Sequence, residues 1–246
     1  MKLLITNDDG FDSEGIKVLA SVLVAAGHKV YVVAPDRNRS AVSHSFTLRE
    51  ALSISGPEKK EGVTWYSCSG TPSDCVHVVL AGFLGFVPDM VLSGINKGEN
   101  LGTDLIFSGT AAAARHASME DIPGIAVSLG SPAQTWNFIP LAEFVRDNLD
   151  LLVSMCEKNV FVNVNAHDSV PYKGWRLTVP AERVYNDRME FYNAPDGKTY
   201  AFKIFGDVGY VRGDNADVEM VRQGFVSVSR VHSQPQTASG GNLTEI

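Results

Sequence analysis

Two apolar runs of strand length, Lys2–Thr6 (KLLIT) and Lys29–Ala34 (KVYVVA), bracket a segment of helical period, and this alternation constrains the fold more than any other feature of the chain. Between the runs, Ile16, Leu19, Ala20, Leu23 and Ala26 recur at the spacing of one helix face, with Ser13 placed as N-cap and Gly27 as the closing glycine. The pattern then repeats. Phe46–Ile54 and Val63–Cys68 read as strands around a Gly/Pro/Lys-rich turn, and Thr71-Pro72-Ser73-Asp74 opens a helix through Leu84. Asp89–Ile95 is a strand, a helix begins near Gly109, Gly124–Leu129 is a strand, Pro140–Cys156 is one amphipathic helix, and Val160–Asn165 is a further strand. Strands separated by helices require crossover connections, and those generate parallel pairing. The expected fold is α/β: a Rossmann-like, doubly wound, mostly parallel sheet.

From about His167 the period changes. Tyr200–Phe205 and Phe225–Val231 are strand-like between Gly-rich turns, and Asn215–Gln223 is a short helix. The chain therefore reads as one domain over 1–246, with an α/β core at 1–166 and an appended β-rich C-terminal region at 167–246 used in oligomerisation. Its last stretch, Ser233–Ile246, is polar and Gly/Ser-rich and is expected to pack poorly without a partner.

Composition narrows the partners. The chain has 246 residues, 21 Lys+Arg against 28 Asp+Glu and a net charge of −7, a balance that argues against a nucleic-acid duplex. No apolar run approaches the ~18 residues needed to span a membrane. Met1-Lys2-Leu3-Leu4-Ile5-Thr6-Asn7-Asp8-Asp9 turns acidic too early for a signal peptide. Cys68, Cys75 and Cys156 are odd in number and fit neither a disulfide framework nor a zinc pattern, which suits a cytoplasmic location.

In an open α/β sheet, ligands bind outside the carboxyl ends of the strands. Four segments occupy such positions: Asn7-Asp8-Asp9-Gly10; Arg37, Asn38, Arg39 and Ser40; Asn96, Lys97, Gly98 and Asn100; and Ser108-Gly109-Thr110 ahead of an Ala-rich helix. Asp8 and Asp9 place two carboxylates in one turn, with oxygen ligands of the kind Mg²⁺ or Mn²⁺ prefers; turn and N-cap chemistry is the competing explanation. Ser40 and Asn96 could add a hydroxyl and an amide oxygen. The Gly-rich run around Asn96 and Gly98, with Ser108, Gly109 and Thr110 at a helix N-terminus, looks like a phosphate cradle, although it matches neither the P-loop nor the dinucleotide fingerprint. His44, His77, His116, His167 and His232 are scattered and are expected to be structural.

Taken together, these segments resemble the SurE family of stationary-phase survival proteins. The resemblance rests on Asn7-Asp8-Asp9-Gly10, Ala34-Pro35 with Arg39-Ser40-Ala41-Val42-Ser43, Gly70-Thr71-Pro72-Ser73-Asp74-Cys75-Val76, Ser93 through Gly102, and Ser108-Gly109-Thr110. It implies a metal-dependent 5′-nucleotidase with one divalent ion per subunit, Mg²⁺ or Mn²⁺, held by Asp8, Asp9, Ser40 and Asn96. Asp8, Asp9 and Asn96 would be catalytic, and Asn96, Gly98, Ser108, Gly109 and Thr110 would bind phosphate. It also implies a homodimer or homotetramer with exchanged C-terminal segments. Three departures are visible: Ala41 where relatives often carry glycine, Ile106-Phe107 ahead of Ser108 where they usually carry tyrosine, and Arg230-Val231-His232-Ser233-Gln234 where they usually carry Thr-Pro-Leu. Two other functions compete with this one. A haloacid-dehalogenase-like phosphatase needs two aspartates one residue apart after the first strand, whereas here they are adjacent. The other is a non-catalytic metal- and nucleotide-binding module.

Overall fold

The computed structural model describes residues 1–236. Its elements in chain order are β1 (Lys2–Thr6), α1 (Glu14–Ala25), β2 (Lys29–Pro35), β3 (Ile54–Lys60), β4 (Val63–Cys68), α2 (Pro72–Leu80), β5 (Met90–Lys97), a 3-10 turn (Gly102–Ile106), α3 (Gly109–Met119) and β6 (Gly124–Gly130). Then come α4 (Ile139–Asp147), α5 (Leu149–Ser154), β7 (Val160–His167), β8 (Trp175–Thr178), β9 (Arg183–Tyr185), β10 (Arg188–Asn193), β11 (Thr199–Ile204), β12 (Val208–Tyr210), α6 (Asp217–Arg222) and β13 (Val226–His232).

Nine strands form one sheet in the order β3-β4-β2-β1-β5-β6-β7-β13-β8. Only β3–β4 and β7–β13 pair antiparallel. Alternation along β1 sends Leu3 and Ile5 to one face and Leu4 to the other, and each face is covered by helices. On the first, Ile16, Leu19 and Leu23 of α1 and Leu141 and Val145 of α4 close the larger core; on the second, Val76 and Val79 of α2 and Ala113 and Ala117 of α3 close the smaller. The small residues of α3 let it lie close on the sheet: a Cβ on Gly124 of β6 would come within 2.1 Å of the Ala114 carbonyl oxygen. This is the doubly wound arrangement, and the chain reverses its direction of winding at β1 and β5.

Several local expectations are corrected. Phe46–Ile54 is not a strand, and the edge strand is instead Ile54–Lys60, the segment expected to turn. An edge tolerates Pro57, and Lys59 and Lys60 protect it from further pairing. Phe46 packs among histidines, with ring centroids 5.0 Å from His116 and 5.4 Å from His44. The helix expected through Leu84 stops at Leu80, ahead of Gly82 and Gly85 at positive φ. The long helix over Pro140–Cys156 is two helices joined at Asn148, whose side chain donates to the Phe144 carbonyl at 2.8 Å and so competes with the helix ladder. Ala26, placed on the buried face of α1, is exposed.

The region after His167 is β-rich, but it is woven into the main sheet more deeply than an appendage. β13 inserts between β7 and β8. The rest makes two small two-stranded sheets, β10–β11 and β12–β9, with a minor apolar cluster of Leu101, Ala181, Ala216, Val218 and Val221. Ser233 is buried, its hydroxyl 2.5 Å from that of Ser118. The remainder of the polar stretch expected to pack poorly, from residue 237, lies outside the described residues.

Candidate active site

The site forms where β1 and β5 end side by side, with α3 beginning above them. β1 delivers Asn7, whose amide donates to the Gly10 carbonyl at 2.9 Å and to the Ser13 hydroxyl at 2.7 Å. That closes a tight turn and takes the Ser13 side chain away from capping α1. Gly10 completes the turn at φ +103, where a Cβ would lie 3.0 Å from the Arg37 backbone. The Arg39 N–H donates to the Asp8 carbonyl at 2.7 Å, which ties the loop after β2 to the loop after β1.

Asp8 is 4% exposed. Its carboxylate accepts the Thr110 hydroxyl at 2.5 Å and lies at the N-terminus of α3, where the helix dipole favours an anion. Burial pushes its carboxyl up to about 6; the Thr110 hydrogen bond opposes this and the neighbouring Asp9 adds to it. Burial also raises Asp9, against the Lys97 N–H that donates to it at 2.8 Å. Asn96 turns its amide nitrogen to the Gly98 carbonyl at 2.9 Å, which leaves its amide oxygen for a ligand. Asp8, Ser40, Asn96, Lys97, Glu99 and Ser108 line one cavity of about 290 Å³.

The four segments expected at this edge are therefore adjacent, but the cradle differs in detail. The Ser108 hydroxyl caps α3 by accepting from the Ala111 N–H at 3.0 Å, and the Thr110 hydroxyl is engaged by Asp8. The Gly98 N–H donates to the Leu129 carbonyl at 2.9 Å. Of the expected donors, the Gly109 N–H is left without a chain partner among the described residues. Gly109 is required here because a Cβ would lie 2.9 Å from that of Asp8. The Arg39 guanidinium is engaged by the chain itself and donates to the Ser69 carbonyl. Ala41 sits at φ +58, a left-handed conformation that explains why a glycine suits this position.

The donor set is oxygen only. Two carboxylates, a hydroxyl and an amide oxygen match a hard divalent cation, and the second oxygen of Asp9 accepts no hydrogen bond from the described residues. No cluster of three His, Cys, Asp or Glu occurs among the described residues, so a cation here would depend on the neutral donors Ser40 and Asn96 as well.

A charged network that sequence reasoning did not find borders the cavity. Arg183 bonds Glu99 at 3.2 Å and also pairs with Asp104, which accepts from the Tyr185 hydroxyl. His167 meets the other Glu99 oxygen at 3.0 Å. Burial pushes the Glu99 carboxyl up, but His167 and the Arg183 charge outweigh it and hold it below its ordinary range. Buried amides support the loop beneath: the Asn165 Oδ1 accepts from the Asn100 N–H at 2.8 Å, and Asn163 and Asn165 both donate to the Asn100 carbonyl. The signal was the alternation Val162-Asn163-Val164-Asn165, polar at period two within an otherwise apolar strand.

Comparison with known proteins identifies the family and the fold. The family model described as "Survival protein SurE" matches residues 3–187. A 5′-nucleotidase SurE from Synechococcus elongatus is 42% identical over 244 residues, covering 93% of this chain and 92% of the relative. A 5′-nucleotidase SurE from Treponema pallidum is 48% identical over 179 residues, covering 70% of this chain and 93% of the relative. The crystal structure of a SurE protein from Aquifex aeolicus superposes with a TM-score of 0.81 at 33% identity, covering 96% of this chain and 95% of that one.

Proposed function

The chain belongs to the SurE family of survival proteins, and on that premise we propose that it is a 5′-nucleotidase, a phosphomonoesterase that hydrolyses nucleoside 5′-monophosphates to nucleoside and phosphate. The observation that carries the reading is the buried Asp8 carboxylate at the mouth of α3, next in sequence to Asp9 and lining one cavity with Ser40 and Asn96. Asp8, Asp9, Ser40 and Asn96 would hold one divalent ion, Mg²⁺ or Mn²⁺. Such an ion supplies neutralisation of phosphoryl charge and makes water a nucleophile at neutral pH.

The chain does the positioning. The Gly109 N–H and the positive end of α3 receive the phosphoryl oxygens, with Ser108 and Thr110 fixing the helix mouth. Asp8 and Asp9 orient the attacking water on the face opposite the leaving ribose oxygen. Adjacent aspartates favour water over an aspartyl nucleophile, because the haloacid-dehalogenase arrangement separates its two aspartates by one residue.

The assembly belongs to the same reading, with residues 167–246 acting within a single domain as the contact region of a homodimer or homotetramer. Among the described residues the β10–β11 hairpin pairs only with itself, and it exposes Phe191 at 69%, Phe202 at 54% and Tyr192 at 53%. An isolated two-stranded hairpin is marginal in water, so a second copy of the chain is its natural cover. Free thiols at Cys68, Cys75 and Cys156 suit a cytoplasmic protein. Among the described residues no helix is long and apolar enough to cross a membrane.

The test is phosphate release from AMP and GMP by purified protein, with and without a chelator, followed by re-addition of Mg²⁺ or Mn²⁺. Release that needs the cation, with no phospho-enzyme trapped on acid quench, is the expected result. Release indifferent to the chelator, a trapped phospho-aspartate, or no release with any metal overturns the reading.

A further inference from the structure

On the sheet face opposite α1, the helices α2 and α3 pack together, and two histidines meet between them. His77 of α2 is exposed, and His116 of α3 is 7% exposed. The Nδ1 of His77 stands 3.3 Å from the Nε2 of His116. Phe46 packs against both rings, with centroids 5.8 Å from His77 and 5.0 Å from His116. His44 stands edge-on to His116 at 5.6 Å, and its Nε2 is buried without a hydrogen-bond partner among the described residues. The proposed phosphate chemistry uses none of these groups. His116 lies two turns into α3, about 10 Å along the axis from the helix mouth at Gly109.

A nitrogen pair 3.3 Å apart is long for a hydrogen bond, and the spacing has a second meaning. Zinc binds imidazole nitrogen at about 2.0–2.1 Å, so two nitrogens on one tetrahedral ion stand about 3.3–3.4 Å apart. The packing of α2 on α3 thus holds two nitrogen donors at the separation a shared ion needs, and rotation of the rings aims both lone pairs at it. Burial and the neighbouring His77 hold His116 below its ordinary value, so at pH 7 it is the neutral, ligating imidazole. No proton has to leave the pair: the histidine whose N–H lies between the rings moves that proton to its other nitrogen. Glu120 and Asp74 stand near enough to favour positive charge at His116, against Arg115 on the His44 side.

We infer that His77 and His116 form a two-imidazole site for a borderline divalent cation of the Zn²⁺, Ni²⁺ or Cu²⁺ class, distinct from the oxygen-lined site of Asp8, Asp9, Ser40 and Asn96. No three of the described His, Cys, Asp and Glu side chains are arranged to hold an ion together, so water completes the coordination, entering past the exposed His77. Imidazole suits these ions, whereas carboxylate, carbonyl and water suit Mg²⁺ and Mn²⁺, and the two sites sort ions by ligand type. An ion between the histidines ties α2 to α3. The same helices also meet at the active-site mouth, where a Cβ on Gly109 would lie 3.2 Å from the Pro72 Cγ. The clamp therefore acts on the helix that carries Gly109.

The test counts bound metal, so its outcome does not depend on the nucleotidase reading. Protein is dialysed against Zn²⁺ in excess Mg²⁺, and zinc per chain is measured. Wild type and Asp8→Asn should both bind a zinc that Mg²⁺ does not displace. His77→Gln and His116→Gln should each weaken it roughly ten-fold or more, since loss of even an outer-shell partner weakens a metal site about 10–100-fold. His232→Gln, at another exposed histidine, should leave it unchanged. With Cu²⁺ as probe, electron paramagnetic resonance should show coupling to two nitrogens in wild type and to one in His77→Gln. His77 is exposed, so its replacement spares the core, and melting curves without metal check that each variant folds. No zinc uptake in excess Mg²⁺, uptake undiminished in His77→Gln, uptake abolished in Asp8→Asn, or a copper signal without two nitrogens overturns the inference.

Discussion

Asp8 carries a conflict between stability and chemistry. Its carboxyl is pushed by burial from 3.8 to about 6, so the folded state holds a proton that the unfolded chain has released between those values. Stability of the metal-free protein must then fall as pH rises through that window, by on the order of 3 kcal/mol if the whole shift is expressed. Asp8→Asn removes the buried charge while keeping an acceptor for Thr110. We expect this variant to melt higher than wild type at pH 7.5 without metal, and to lose phosphate release from AMP by about two orders of magnitude or more. Calorimetry and the phosphate assay check the two halves separately. An active variant would remove Asp8 from the mechanism. Asp8 and Asn96 were legible in the sequence because strand ends collect ligands. The engagement of Thr110 by Asp8 was not, because it joins residues 102 positions apart.

The elements around the site are joined by polar side chains. Asp217, at the start of α6, is fully buried and accepts from the N–H groups of Gly102 at 2.7 Å, Ala181 at 2.9 Å and Val218 at 2.8 Å. It fastens the C-terminal region to the 3-10 turn below the cavity. Asp217→Ala leaves three buried donors unpaired and should lower stability by roughly 2–4 kcal/mol, read as a shift in the urea midpoint. The 44–47 segment is held on the other side, where Thr47 bonds Asp74 through its N–H at 3.1 Å and its hydroxyl at 2.8 Å, and Phe46 sits among His44, His77 and His116. Burial holds His44 down at about 4 and His116 below its ordinary value. For a histidine depressed in the folded state, the unfolded chain binds the extra proton. That contribution is therefore intact above pH 6.5 and lost as pH falls toward 4. Melting temperature followed from pH 7 to pH 4 should fall less steeply in His44→Gln than in wild type; parallel curves would exclude His44 as the source. None of this cluster was readable as a unit, since its members come from a loop and two helices. The β3 boundary was missed for a different reason: Pro57 and the paired lysines mark an edge strand as readily as a turn.

At the scale of the whole molecule, the periodicity of the first 165 residues was enough to read the centre of the sheet, because β1, β2, β5, β6 and β7 are buried on both faces and read as largely apolar runs, whereas the exposed edge strand β3 does not. The same logic fails after His167, where short strands such as β9 and β12 are exposed and carry little pattern. The hairpin there makes a clear prediction. Light scattering across a range of concentrations should give a mass at least twice 26.6 kDa, and replacing Asp187–Phe205 by a short Gly/Ser linker should yield monomers or aggregates. A monomeric wild type would refute the assembly. One consequence follows from the insertion of β13 between β7 and β8. A ribosome makes β7 and β8 well before residues 226–232, yet neither strand has its permanent neighbour on that side until those residues emerge. The nascent sheet therefore waits with the outer edge of β7 open, and a pause in translation between residues 178 and 226 leaves an apolar strand free to pair with other chains. Rare codons or a stalled message in that interval would be felt as aggregation of half-made protein, even though Asp8, Asp9, Ser40 and Asn96 have already been synthesised.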